Sequence, residues 1–131
     1  YSCITYIYLN SMTTVVDEKL KEFRGRQADI QKLFGQKQQS LSQHNENTLV
    51  KGELDLLSET DTIFKLVGPV LMKVDLEEAK HNVSKRMEFI ESDMKRVDDI
   101  IAARQGEQAA LGEQIQEMQR KMQADAAAAA R

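Results

Sequence analysis

The sequence has few of the aromatic side chains that commonly fill a compact globular core. It has no tryptophan, its aromatic content is 5%, and Pro69 is the only proline. Charged residues make up 30% of the 131-residue chain. A composition poor in aromatic side chains and in helix-breaking proline is typical of long helices rather than of a rounded core.

Other absences argue against whole classes of function. Cys3 is the single cysteine, so no internal disulfide can form, and we expect a cytoplasmic protein. The net charge is −3, and the basic residues are interspersed with acids rather than gathered into the stripe typical of nucleic-acid binders. The apolar run from Ile4 to Leu9 is too short to cross a bilayer and has no basic segment before it. We therefore predict no nucleic-acid partner, no membrane segment and no signal peptide.

Residues with catalytic or metal-binding chemistry are few and scattered. His44 and His81 are isolated, and the sequence has no glycine-rich phosphate loop, metal-ligand cluster or nucleophile motif. Adjacent acids such as Asp98 and Asp99 are typical of a solvated helix surface. We predict that the protein is not an enzyme, binds no cofactor, and has no catalytic, cofactor-binding or metal-binding residues.

A first long helix is predicted over residues 14–57. From Val16 to Thr48, apolar residues recur at alternating spacings of four and three, as in a coiled coil. Thr14 followed by Asp17 resembles a capping box, which would start the helix. The seam positions expected on this helix are Val16, Leu20, Phe23, Gln27, Ile30, Phe34, Lys37, Leu41, His44 and Thr48.

A second long helix is predicted over residues 75–123. Asp75 is a candidate N-cap, and Glu77 and Glu78 add negative charge where the helix dipole favours it. The alanine-rich tail over 124–131 is expected to fray. The seam positions expected on this helix are Leu76, Lys80, Val83, Met87, Ile90, Met94, Val97, Ile101, Arg104, Gln108, Leu111, Ile115, Met118 and Met122.

Between the two helices, residues 62–74 read as a β-hairpin. Gly68 can supply the positive φ required at the first position of a two-residue type II′ turn, and Pro69 suits the second position. We expect a wholly apolar face and a mixed face. The apolar face would consist of Phe64, Leu66, Val70, Met72 and Val74, and the mixed face of Ile63, Lys65, Val67, Leu71 and Lys73.

These elements predict a mainly α fold, a long antiparallel coiled-coil helical hairpin with one β-hairpin at the bend. A short connection between two long helices lets them fold back on each other, so the two seams should pair. Gln27 would then meet Gln108 and Arg104 in a polar layer that fixes the register. The other expected pairs are Leu41 with Met94, Phe34 with Ile101, Phe23 with Leu111, and Val16 with Met118.

The hairpin and its flanks resemble the β-type subunits of prefoldin. The resemblance lies in VKGELDLL at 50–57, IFKLVGPVLMK at 63–73 and LEEA at 76–79, and it extends over residues 16–122. Gly52 departs from the acidic residue expected at that position, which lowers the expected local helix stability. The combination of a phenylalanine-lysine-leucine strand, a Gly-Pro turn and a return strand between coiled-coil helices is specific.

The resemblance implies a subunit of a hetero-hexameric, ATP-independent cochaperone. In that family, one hairpin per β-type subunit joins a double β-barrel platform. The coiled-coil tips hold unfolded proteins, notably actin and tubulin, and pass them to the cytosolic group II chaperonin. By this resemblance, the assembly residues would be Ile63, Phe64, Leu66, Val67, Val70, Leu71, Met72 and Val74, and the tip residues that bind clients would be Val16, Leu20, Phe23, Leu111, Ile115, Met118 and Met122.

Two alternatives stay open. The tip residues could serve only to pack the coiled coil, because seam methionines more often belong to a core than to a site. The whole chain could also be a structural tether that binds no client, although a tether needs only a short loop at the bend rather than a two-faced hairpin.

Residues 1–11 stand apart from this scheme. All three tyrosines, Tyr1, Tyr6 and Tyr8, precede Met12. We expect Met12 to be the native start, residues 1–11 to be a non-native leader, and the domain to span 12–123. The intact mass of the protein purified from its source tests this expectation.

Overall fold

The order of elements along the chain is helix, hairpin, helix. The computed structural model describes residues 2–130. Helix α1 spans Ser2–Leu56, strands β1 and β2 span Ile63–Val67 and Val70–Val74, and helix α2 spans Leu76–Ala129. The predicted mainly α fold class and the position of the hairpin are confirmed.

The chain divides into two compact units. The first unit contains residues up to Phe34 and from Asp99 onward, and the second contains Gly35–Asp98. Both units pair a part of α1 with an antiparallel part of α2, and the second unit also contains the hairpin.

The outer ends of both helices lie beyond the predicted boundaries. Helix α1 begins at Ser2, and Thr14 is not a cap, because its hydroxyl donates to the Asn10 carbonyl 3.1 Å away. This bond to the residue four positions earlier is characteristic of a threonine inside a helix. Helix α2 continues through the alanine-rich tail to Ala129, since alanine has the highest intrinsic helix propensity.

The inner ends of the helices match the predictions. The Asp75 carbonyl accepts the first α-helical bond of α2 from the Ala79 amide at 2.9 Å, as expected of an N-cap residue. Before the hairpin, the Asp61 carboxylate accepts bonds from the Ser58 amide and the Ser58 hydroxyl at 2.8 and 3.0 Å. The Asp61 amide donates back to the Ser58 carbonyl at 2.9 Å. These bonds close the turn that ends α1.

The predicted seam of α2 is confirmed at almost every position. Arg104 is the exception, since it is exposed and its guanidinium donates to Glu107 at 3.2 Å. A charged guanidinium gains more from that carboxylate and from water than from an apolar seam. The seam positions of α2 with the lowest exposure are Leu76, Ile90, Val97, Ile101, Leu111 and Ile115.

The predicted seam of α1 consists of two rows of residues spaced seven apart. The structure confirms one of these rows. Val16 and Ile30 are buried, and Phe23, Lys37 and His44, which share their heptad row, are half-buried. The second row lies one residue earlier than expected, three residues after each member of the first row rather than four. Thus Leu33, Ser40 and Asn47 are half-buried, whereas Phe34, Leu41 and Thr48 are exposed.

Polar contacts between the helices set the antiparallel register within each unit. In the second unit, Lys37 Nζ lies 2.6 Å from Asp98 Oδ1, and His44 Nε2 lies 2.8 Å from Glu91 Oε1. In the first unit, Gln108 donates to Gln27 at 2.5 Å. These pairs match the register predicted from the two seams.

Candidate assembly hairpin and tip surface

Strands β1 and β2 pair antiparallel around a two-residue turn. Gly68 has a φ of 58°, and it is the one position with positive φ between residues 2 and 130. Since the pyrrolidine ring keeps the φ of Pro69 negative, the turn is of the predicted type II′.

The two faces of the hairpin differ from the prediction. In a two-residue hairpin, the residues that flank the turn pair directly, so Val67 and Val70 share a face. The expected wholly apolar face does not exist, because each face contains one lysine. One face holds the pairs Ile63 with Val74, Lys65 with Met72, and Val67 with Val70, and the other holds Phe64 with Lys73 and Leu66 with Leu71.

Most of the predicted assembly residues present apolar surface to solvent. Ile63 and Val74, at the base of the hairpin, are half-buried and line a pocket with Val50, Leu54 and Val83 of the helices. A two-stranded sheet also leaves a row of unpaired backbone groups along each edge. The remaining six residues are 48% to 68% exposed, namely Phe64, Leu66, Val67, Val70, Leu71 and Met72.

The predicted tip residues all lie in the seam of the first unit. Val16, Leu111 and Ile115 are buried at 5% to 6% exposure. A Cβ added at Gly112 would lie 3.4 Å from Phe23 Cε2, so this ring packs against α2. In this conformation the tip residues pack the helices together. The half-buried members of the set are Leu20, Phe23, Met118 and Met122.

A polar layer interrupts the apolar seam of the first unit. The amide of Gln108 bonds to Gln27, and Arg26 bridges Glu22 on its own helix and Glu107 on α2. The hydrogen bond and charge of Glu22, joined by those of Glu107, raise the pKa of Arg26 above its ordinary value. In sequence, the layer lies between the tip residues and Ile30 on α1. The sequence analysis predicted Gln27 as part of this layer but not Arg26. Glu22, four residues before Arg26, could have indicated an ion pair there.

A model of the prefoldin subunit family matches residues 17–122. The chain belongs to this family. The "Probable prefoldin subunit 6" of Caenorhabditis briggsae is 42% identical over 82 residues, which are 63% of this chain and 64% of that protein. The "Prefoldin subunit 6" of Arabidopsis thaliana is 39% identical over 108 residues, 82% of this chain and 84% of that protein.

The fold also recurs in a solved structure. The crystal structure of the prefoldin β subunit from Thermococcus strain KS-1 superposes with a TM-score of 0.72 at 20% sequence identity, covering 78% of this chain and 90% of that chain. This structure confirms the predicted fold, and the family match with the relatives named prefoldin subunit 6 confirms the predicted resemblance to prefoldin. The prefoldin match includes the entire hairpin and every tip residue except Val16, which lies just before it.

Two further features bear on this prefoldin chain. Within residues 2–130, no group of three or more His, Cys, Asp and Glu side chains is arranged to hold a metal ion. No helix in the same range is both long enough and apolar enough to cross a bilayer.

Proposed function

We propose that this prefoldin-family chain is a subunit of a cytoplasmic, hetero-hexameric, ATP-independent cochaperone. Its hairpin joins it to α-type and β-type sister subunits, and its tip holds unfolded proteins such as actin and tubulin for delivery to the group II chaperonin. The observation that carries the proposal is the hairpin, with apolar side chains exposed on both faces.

Assembly follows from the free energy of an exposed hairpin. Two isolated strands are marginal in water, and further strands or a packed face are needed for stability. Complete burial of one large aliphatic or aromatic side chain contributes about 1.5 to 3 kcal/mol, so covering six half-exposed side chains contributes several kcal/mol. Strands from sister subunits would cover both faces and satisfy both edges. Lys65 and Lys73 keep their ammonium groups accessible if their stems extend along the new apolar surface.

Client holding requires the tip to open. Val16, Leu111 and Ile115 are buried in the packed seam, so they can meet a client only when α1 and α2 separate locally. The polar layer of Gln27 and Gln108 limits the length of apolar seam that must separate when the tip opens. Met118 and Met122 would then offer flexible, polarisable side chains, which suit clients of varied sequence.

Two substitutions test the division between hairpin and tip. The chain would be mixed with candidate α-type and sister β-type subunits, and native mass and suppression of client aggregation would be measured. We expect Phe64→Asp to block assembly, because it introduces a charge where apolar surface is to be covered. Met118→Asp should leave assembly intact and weaken client holding. Phe34→Asp is the matched control, since Phe34 is exposed and lies outside both sets.

Two outcomes would count against the proposal. A stable monomer that protects no client would contradict both parts, and loss of assembly in Met118→Asp would contradict the division of roles. The packed tip favours a second candidate, a structural tether without client binding. A complex that assembles fully yet never suppresses aggregation would support the tether.

A further inference from the structure

The outer face of α1 in the second unit carries two unusually exposed leucines. Leu49 is 70% exposed and Leu56 is 88% exposed. They are seven residues apart, so they lie on the same side of the helix two turns from each other. The seam on this part of the helix is occupied instead by Asn47 and Leu54, on the opposite side. Leu49 and Leu56 therefore contribute nothing to the pairing of α1 with α2.

Leu49 and Leu56 together form a leucine stripe, and the two edges of this stripe differ in charge and in bulk. Glu46 and Glu53 follow one edge, and both are exposed. Glu46 accepts a long hydrogen bond from Ser42 at 3.4 Å, and Glu53 forms no ion pair with any described residue. Gly52 lies on the other edge, where a methyl group in place of its hydrogen would meet no other atom within 4 Å. Another helix can thus approach closely, and the acidic edge selects a basic one.

We propose that the leucine stripe docks the α2 helix of the subunit joined to this chain through the hairpin. The inference rests on the proposed assembly. The occupant would present an apolar or aromatic side chain between lysines or arginines, which would face Glu46 and Glu53.

The size of the stripe supports this occupant. Two leucines on two helical turns are far from the roughly 1,000 Å² that a specific interface needs on its own. The stripe can therefore act only where a second contact already holds the chains together. The hairpin lies in the same unit, and Leu56 is the last residue of α1 before it. A chain paired with the hairpin is the partner brought nearest to the stripe.

The chain's own α2 shows that the fold can present the complementary face. Phe89 is 72% exposed, and Lys85, Arg86 and Arg96, one or two turns away on the same side, are also exposed. Asp93 lies among them and accepts a bond from Arg96 at 2.7 Å, which leaves a net positive face. A sister subunit that carries a similar basic, aromatic face on its second long helix would fit the acidic leucine face of this chain.

A cross-linking experiment on the assembled complex tests the partner. A photoreactive phenylalanine analogue would replace Leu49 or Leu56 in the full chain, with the exposed Lys51 on the same helix as the control position. We expect cross-links from positions 49 and 56 to the second long helix of a sister subunit, and none to that helix from position 51. Cross-links to client, to a second copy of this chain, or to no subunit would overturn the proposal.

Charge reversal tests the acidic edge. We expect Glu46→Lys with Glu53→Lys to weaken incorporation into the complex about tenfold at low salt, and the deficit to shrink at high salt. Glu18→Lys with Glu117→Lys, in the other unit, changes net charge equally and should incorporate like the unaltered chain. Unchanged incorporation of the first variant would overturn the charge argument. If the complex assembles through the hairpin but positions 49 and 56 cross-link to nothing, only the leucine stripe fails; if Phe64→Asp still assembles, the hairpin proposal fails.

Discussion

Single glycines have opposite effects in this chain, depending on backbone conformation. Gly68 has a positive φ that other residues adopt only with strain, whereas Gly35 lies in the interior of α1 with open space around it. Both positions are in the second unit, so they form a matched pair for substitution by alanine.

We expect Gly68→Ala to destabilise the hairpin by about 1 to 2 kcal/mol, because a Cβ is strained in the left-handed region. Gly35→Ala should stabilise α1 by about 0.8 to 1 kcal/mol, since alanine has the better helix propensity. Amide hydrogen exchange of β1 and β2 measures the first change, and urea unfolding measures the second. Faster amide exchange in the hairpin of Gly35→Ala would contradict these opposite roles of the two glycines. Unchanged amide exchange in the hairpin of Gly68→Ala would contradict them as well.

At the scale of elements, the polar layer determines how firmly the helices of the first unit pair. The hydrogen bond between Gln27 and Gln108 satisfies two amides that apolar side chains could replace. A polar seam position fixes register at a cost in stability. The layer therefore favours one alignment of the helices, and in the proposed function it makes the tip easier to open.

Replacing both glutamines by leucine should stabilise the first unit by up to about 1 kcal/mol, since Gln108 is half-buried and the hydrogen bond to the exposed Gln27 contributes little in competition with water. Urea unfolding gives the free energy, and amide exchange over residues 12–34 and 99–123 shows whether opening slows. Gln38→Leu, at an exposed position off the seam, is the control and should change neither measurement. A less stable double variant would show that the amide pair stabilises the unit as well as aligning it.

The helices and the hairpin could be predicted from local sequence patterns. Which residues contact each other between these elements was harder to predict. Periodicity and the Gly-Pro turn predicted two helices around a hairpin. The predicted hairpin faces were wrong because a two-residue turn pairs Val67 directly with Val70, which places both on the same face. The four-three spacing from Val16 placed Phe34 in the seam, whereas Leu33, three residues after the buried Ile30, is half-buried and Phe34 is exposed. The bond from Lys37 to Asp98 joins residues distant in sequence, and it follows from the paired register of the two seams rather than from a local pattern.

At the scale of the whole molecule, the two proposed roles fall in different units. The hairpin residues belong to the second unit and the tip residues to the first, so each role can be altered separately. A covalent bond across the helices of the first unit would prevent tip opening without touching the hairpin. Lys19 Nζ lies 3.1 Å from Gln114 Oε1, which places an amine within bonding reach of a carboxylate introduced at position 114.

We expect Gln114→Glu, treated with a carbodiimide before assembly, to form an amide bond to Lys19 and to lose client holding while still joining its sister subunits. Client holding would be lost because Val16, Leu111 and Ile115 would stay buried. The control is the unaltered chain given the same treatment. Carbodiimide can also cross-link Lys37 to Asp98, and because both proteins contain this pair, the control accounts for that cross-link. Peptide mapping verifies the bond, and suppression of client aggregation is the readout. A cross-linked tip that protects clients as well as the control would show that holding does not use the seam residues.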